Sequence, residues 1–437
     1  MGKSQDLYIR AKGIIPTGTE LLSKRPEMFL PDLWPAYYKR AKGCEVWDLD
    51  DNRYYDFAQM GVGCCTLGYA NQNVNSAVIN AVNNGSMCSL NSYEEVELAE
   101  RLIALHPWAE CVRFARTGGE ACAIAIRIAR AATGRDKIAF CGYHGWSDWY
   151  ISANIEDVTR LNDQLLPGLE PSGVPKGLSK TALPFVYNDL SSLQHLTEEY
   201  PNEFAAIIME PMRSEPVEKH FLEGVREIAC KIGAVLIFDE ITSGFRLCIG
   251  GIHKVLNVNP DIAVFGKALG NGYPISAIIG KREVMESAEK SFISSTFWTE
   301  RIGFVAGLAS IEEMGRINSP DLLVKYGNRI VSELTISAKK HNLRLLVSHI
   351  TPLAHIDWDY NNGLAIQTLY AQIMLERGYL VSSAIYSCAA YNDVIIEGFT
   401  QETDEAFEII SNAIHEGNVE NLLKGAVKQS GFARLVK

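Results

Sequence analysis

The segment "VFGKALGNGYP" (Val264–Pro274) ends an apolar run in a lysine, Lys267, set between Gly266 and Ala268. Burial at the mouth of a strand disfavours the charged form of a lysine. A neutral amine is the nucleophile that forms a Schiff base with an aldehyde. The small neighbours leave room for a flat cofactor. Taken alone, a lysine snorkelling out of a strand end explains the segment equally well.

Asp239 shifts that balance. It closes "AVLIFDE", an almost wholly apolar run. A carboxylate there is costly unless something charged pairs with it. A protonated pyridine nitrogen is one such partner, and pyridoxal phosphate needs it, because the protonated ring is an electron sink. A helix N-cap or an ordinary salt bridge is the alternative. Thr117, Gly118 and Gly119 lie in "ARTGGEACAIAIRIAR", between an apolar run and a helical pattern. Free amides and the helix dipole make that position an anion seat. It lacks the G-x-x-x-x-G-K-[ST] of a Walker loop, and a plain strand–helix turn has even odds. Tyr143 in "CGYHGW" could stack on a cofactor ring or be a core tyrosine. Glu210 after "AAIIM" and the Gly-Asn-Gly turn at 270–272 have similar standing.

These residues need elements to hold them. Each follows a short apolar run: "CVRF", "KIAF", "AAIIM", "AVLIF" and "IAVF". Helical patterns lie between, at Glu120–Ala132 and Leu222–Gly233. Such alternation predicts an α/β fold with a mostly parallel sheet covered by helices on both faces. Ligands bind beyond the carboxyl ends of such strands, where the polar residues fall. The predicted domains are a large one over 56–311 and a smaller α+β one from both ends, 1–55 and 312–437. "GCEVWDLDDNRYYDF" predicts a hairpin around Asp-Asp-Asn at 50–52, and "LRLLVSHI" a short strand.

The 437 residues are 47% apolar and 21% charged, an ordinary globular balance. The net charge of −11 repels phosphate backbones, so no nucleic-acid partner is expected. Ten cysteines occur without any C-x-x-C, which disfavours a zinc site or a disulfide framework. Buried, reduced thiols and a cytoplasmic location are expected, with no metal. The start "MGKSQDLYIR" is polar, and no apolar run approaches the roughly 18–20 residues of a membrane span.

Together, "TGGEACAIAIRIARAATGRDK", "GYHG", "EP", "FDEITSGFR" and "GGIHKVLNVNPDIAVFGKALGNGYPISAIIGKREVM" resemble the class III aminotransferases of fold type I. The likeness covers most of residues 10 to 320 and is nearest to the glutamate-1-semialdehyde 2,1-aminomutase group. It implies pyridoxal phosphate as cofactor, with Lys267 as the Schiff-base lysine and proton carrier, and Asp239 as the ring-nitrogen partner. It implies Ile241 under the ring, Tyr143 stacked on the other face, and Gly118 and Gly119 at the phosphate. Thr296, in "SSTFWTER", matches a threonine that reaches the phosphate of the neighbouring subunit, which implies a homodimer with shared active sites.

The chain also departs from that pattern. The family's S-G-N-P reads "FWTER", and E-P-V-x-G-N reads "EPMRSE", which puts Glu215 near the place of an asparagine. The substrate-arginine region offers Lys24 or Arg25. Residues 151–183 keep "PSGVPKG" but lose a glycine-serine run. These changes fall on substrate contacts more than on cofactor contacts; Arg25, Trp146 and Trp298 become the candidate substrate residues, and Arg213 lies in the departing "EPMRSE" segment. The expected activity is transfer of an amino group from a donor, glutamate being a candidate, to a keto or aldehyde acceptor such as a sugar or small metabolite. Intramolecular transfer by an aminomutase is the alternative.

Overall fold

In the computed structural model, residues 2–164, 167–212 and 215–431 are described. The chain begins its sheets with β1 (Tyr38–Lys42), β2 (Glu45–Asp48) and β3 (Arg53–Phe57). β2 and β3 are antiparallel, with Trp47 opposite Arg53, which is the hairpin read from the Asp-Asp-Asn turn. β4 (Cys111–Ala115), β5 (Lys137–Cys141), β6 (Ala182–Pro184), β7 (Phe204–Met209), β8 (Val235–Asp239), β9 (Ile262–Phe265) and β10 (Ser276–Gly280) build a seven-stranded sheet. The chain closes with β11 (Leu345–Val347), β12 (Leu353–Trp358), β13 (Tyr379–Val381) and β14 (Ala384–Tyr386).

The seven-stranded sheet has the order β4-β10-β9-β8-β7-β5-β6. β7, β8 and β9 are buried at every position, which is why they read as unbroken apolar runs. Burying each Ile or Leu side chain there stabilises the fold by about 1.5–3 kcal/mol. β5 to β9 run parallel, and β10 is antiparallel to both β4 and β9. The helix Gly118–Thr133 follows β4; it buries Ala121, Cys122, Ala125 and Ile128 on one side and stops at Gly134, in the left-handed region at φ 68°.

The chain divides into two compact units, Gln72–Pro320 and the two ends, Met1–Asn71 with Asp321–Lys437. The boundaries lie beyond the 55/56 and 311/312 read from sequence. Residues 58–71 stay with the ends because Gly43 and Tyr69 exchange backbone hydrogen bonds (2.9 and 2.7 Å) and the Tyr69 hydroxyl donates to Asp56 (2.5 Å). The helix Arg301–Ile317 stays with the large unit, where Asn73 donates to Glu313 at 2.7 Å. In the unit of the ends, β13 joins β3 in parallel, and Phe57 stacks on Phe399 with ring centroids 3.9 Å apart.

None of the ten cysteines forms a disulfide. Cys44, Cys65, Cys122, Cys141 and Cys388 are buried as expected, but Cys88 and Cys230 are exposed. Cys88 sits in the loop between the helices Gln72–Asn83 and Glu94–Leu105, and Cys230 on the outer side of Phe221–Ile232. No described helix is long and apolar enough to cross a membrane.

Candidate active site

Asp239 ends β8 and is 2% exposed. Its Oδ2 accepts a hydrogen bond from His144 Nδ1 at 2.8 Å and from the Cys122 thiol at 3.3 Å. Its Oδ1 accepts from the Ile241 amide at 3.0 Å. Burial, with the carboxylate charge beside it, pushes the Cys122 thiol well above its ordinary pKa, so it stays a proton donor. The ligand atoms of Cys122, His144 and Asp239 lie within 4.8 Å of one another, close enough to hold a cation. The observed arrangement is a hydrogen-bonded set, with thiol and imidazole donating to the carboxylate.

Thr117 caps the helix Gly118–Thr133 in a reciprocal box with Glu120. Glu120 Oε2 accepts from the amides of Arg116 (3.1 Å) and Thr117 (2.9 Å). Among the described residues nothing accepts from the next two amides, those of Gly118 and Gly119. They open a helix of 16 residues, where the dipole favours an anion. The glycines here are steric requirements. A Cβ at Gly118 would lie 2.7 Å from Ile241 Cδ1, and one at Gly119 3.3 Å from Trp146 Cδ1.

Tyr143 and His144 follow β5. The Tyr143 amide donates to Glu210 Oε2 at 3.0 Å, and Glu210 is buried at the end of β7. Gly142, at φ 111°, packs against the same carboxylate; a Cβ there would lie 2.7 Å from Glu210 Oε2. Tyr143 is 40% exposed and Trp146 74%.

Asp239 pairs with Val264 in the parallel β8–β9 register. Lys267, three residues after Val264, therefore emerges beyond the carboxyl end of β9, beside that of β8. It sits at φ 43°, in the left-handed region, and its Nζ donates to Thr242 Oγ1 at 2.9 Å. Ile241 links the two ends: a Cβ added at Gly266 would lie 3.6 Å from Ile241 Cγ2, and Gly118 abuts the same side chain.

Thr117, Gly118, Gly119, Tyr143, Glu210, Asp239, Ile241 and Lys267 thus meet around the carboxyl ends of β5, β7, β8 and β9. Trp298 joins them through its indole, which donates to Glu120 Oε1 at 3.4 Å. Thr296 begins the short turn Thr296–Thr299 and is exposed. Arg25 belongs to the unit of the ends, where it is buried with Nε 3.5 Å from Glu27. Arg213 lies outside the described residues. His144, Cys122, Thr242, Arg116 and Glu120 escaped the sequence reading. Cys122 was within reach of it, since four residues separate it from Gly118 on one helix face.

The family model "Aminotransferase class-III" matches residues 31–352. The chain belongs to the class III aminotransferases. It is 36% identical over 342 residues to 3-aminobutyryl-CoA aminotransferase of Cloacimonas acidaminovorans, covering 76% of this chain and 78% of that protein. It is 31% identical over 435 residues to glutamate-1-semialdehyde 2,1-aminomutase of Methanosphaera stadtmanae, covering 95% and 100%. Among solved structures, the FumI protein of Sphingopyxis sp. MTA144 superposes with TM-score 0.86 at 24% identity, covering 95% of this chain and 98% of that one. An omega-transaminase from Sphaerobacter thermophilus follows at TM-score 0.82 and 25% identity, covering 94% and 98%. The fold is that of the fold type I transaminases. This class III aminotransferase is a pyridoxal-phosphate enzyme.

The residues present fit that cofactor. A carboxylate offers about four lone-pair directions. Asp239 uses two on Oδ2 and one on Oδ1, which leaves one on Oδ1 for a ring N–H. The Gly118 and Gly119 amides suit a phosphate group, and a Cβ at either would narrow the seat.

Proposed function

We propose that in this aminotransferase Lys267 carries the reacting proton and Asp239 partners the protonated ring nitrogen. The observation that carries this is the β8–β9 register, which sets Asp239 and Lys267 at neighbouring strand ends with Ile241 between the Gly118 turn and Gly266. When bound, pyridoxal phosphate supplies the electron sink that lets an amino substrate lose its α proton. The Lys267 amine takes that proton and returns it, with Thr242 orienting it meanwhile. The Gly118 and Gly119 amides and Thr117 would hold the phosphate. Ile241 and Tyr143 would flank the ring, and Glu210 holds the Tyr143 backbone. Trp146, Trp298 and Arg25 remain the candidate substrate contacts.

The proposed assembly is a homodimer in which Thr296 of one copy reaches the phosphate of the other. Exposed apolar residues support it: Ile79, Val82, Leu90, Tyr93 and Val96 on and between the helices Gln72–Asn83 and Glu94–Leu105, and Phe292 and Phe297 beside Thr296. Ten cysteines with no disulfide among them support a cytoplasmic location.

The donor and acceptor are tested with the purified enzyme. Glutamate is expected to move the cofactor absorbance to that of pyridoxamine phosphate. The aminated form is then offered sugar ketones, small aldehydes and oxoacyl-CoA compounds, the last on the strength of the Cloacimonas relative's name. No spectral change with any common amino donor would overturn transamination. Turnover of glutamate-1-semialdehyde without a second substrate would replace it with the aminomutase reaction.

A further inference from the structure

Arg116 stands one residue before the phosphate turn and is not needed for the chemistry above. Its side chain is 11% exposed. The guanidinium reaches three backbone carbonyls on two other segments: Nε donates to Phe297 O at 2.6 Å, Nη2 to Glu300 O, and Nη1 to Pro274 O at 3.5 Å. Nη2 also lies 3.7 Å from Glu300 Oε2, and the group sits over the Phe304 ring at 5.0 Å. A Cβ at Gly303 would collide with Nη1, so the helix Arg301–Ile317 leaves space for it.

These segments are the ones the proposed function uses. Pro274 closes the turn after Lys267. Phe297 and Glu300 belong to the stretch that starts with Thr296 and contains Trp298. The backbone of Arg116 is fixed as well, because its amide donates to Glu120 Oε2. Glu120 Oε1 in turn takes the Trp298 indole. The 296–300 stretch is therefore tied twice to the start of the Gly118–Thr133 helix. The planar fork of an arginine suits several carbonyls at once, which a lysine ammonium on a flexible stem does not reproduce.

We propose that Arg116 is a positioning residue that holds the Thr296 segment in register with its own phosphate turn, so that one side chain couples a subunit's own cofactor seat to the segment it lends its neighbour. This rests on the proposed role of Thr296. The clasp acts on where Thr296 is presented, and Arg116 itself touches no cofactor atom.

The test is a double-mutant cycle read as the dissociation constant of pyridoxal phosphate from the assembled protein, with Arg116→Gln and Thr296→Ala singly and together. Each single change is expected to weaken cofactor binding about tenfold, a difference of about 1.4 kcal/mol. The double variant is expected to be no worse than either single one, because both remove the same contact. Arg116→Lys, which keeps the charge and lets the protein fold if Gln does not, is expected to fall nearer to Arg116→Gln than to the parent. If Thr296→Ala binds the cofactor normally, the Thr296 role fails and the coupling with it. If Thr296→Ala weakens binding but Arg116→Gln does not, or if the losses multiply to about a hundredfold, the clasp alone is overturned. A lowered melting temperature with unchanged cofactor affinity also overturns it, since that marks a purely structural arginine.

Discussion

His144 Nδ1 lies 2.8 Å from Asp239 Oδ2, and the Cys122 thiol shares that oxygen at 3.3 Å. The two donors are unequal. A hydrogen bond from the ring to a carboxylate contributes about 1.5–3 kcal/mol, whereas a thiol is a weak donor. His144→Ala is therefore expected to slow turnover by about tenfold or more, and Cys122→Ala by only a few-fold. Steady-state kinetics on both variants checks the ranking. A larger loss from Cys122→Ala would show that the thiol dominates.

Lys267 carries both the proposed function and backbone strain. At φ 43° a residue with a Cβ is strained by about 1–2 kcal/mol, which glycine escapes. Glycine gives back about 0.5–1 kcal/mol through the entropy of the unfolded chain. Lys267→Ala and Lys267→Gly are both expected to lose at least about 10²-fold in turnover and to fold. Of the two cofactor-free variants, Lys267→Gly is expected to be the more stable, by up to about 1.5 kcal/mol. Denaturant unfolding of both measures the difference. Normal transamination by either variant would remove Lys267 from the mechanism.

Gly118 tests the cofactor seat without touching a titrating group. A methyl there meets Ile241 Cδ1 at 2.7 Å, closer than carbon atoms pack. Gly118→Ala is expected to weaken cofactor binding by about tenfold or more, since overpacking costs about 1–3 kcal/mol. Adding Ile241→Val, which removes Cδ1, is expected to restore part of the affinity. Absorbance titration with pyridoxal phosphate gives both values; equal affinities for Gly118→Ala and the parent would sink the idea.

His106 predicts a pH response away from the site. Its Nδ1 donates to Leu102 O at 2.8 Å and its Nε2 accepts the Gly251 amide at 3.0 Å, so the ring is neutral. Burial pushes its pKa down to about 4, from 6.5. The unfolded chain binds the proton more readily between those values. The stability His106 contributes is then complete above pH 6.5 and lost as the pH falls toward 4, roughly 3 kcal/mol in all. His106→Gln keeps a donor and an acceptor without the titration. Urea unfolding at pH 6.5 and pH 4 is expected to show a smaller drop for the variant than for the parent, and equal drops would contradict this.

The sequence exposed those parts of the site that sit at the ends of apolar runs. Asp239 and Lys267 stand out because a charged side chain interrupts an otherwise apolar strand end. Thr117, Gly118 and Gly119 stand out because a turn opens a periodic helix. His144 and Cys122 were hidden because their role exists only once β5 and the Gly118–Thr133 helix flank β8. Arg116 was hidden for the same reason: its partners, Pro274, Phe297 and Glu300, are more than 150 residues away in the chain. β10 went unread because "SAIIG" is a short apolar run with no alternation, and its antiparallel direction is set by the pairing partners it finds. The domain boundary at 71 depends on pairings between distant segments, Gly43 with Tyr69, Ala58 with Tyr386 and Thr66 with Ala389, which no local pattern announces.

The Cys88 thiol, exposed in the loop that also exposes Leu90 and Tyr93, would make the proposed assembly visible to a colour reagent. The buried thiols are poor nucleophiles, with Cys44 and Cys65 pushed up to about 12 by burial. Cys230, on a different helix, provides an internal clock for the labelling rate. A chain whose Cys88 reacts as fast as Cys230 has that face open to water, and one whose Cys88 lags has it covered. The stopwatch of a thiol assay, with no engineered probe, thus reports the association of copies in the same cuvette that measures turnover.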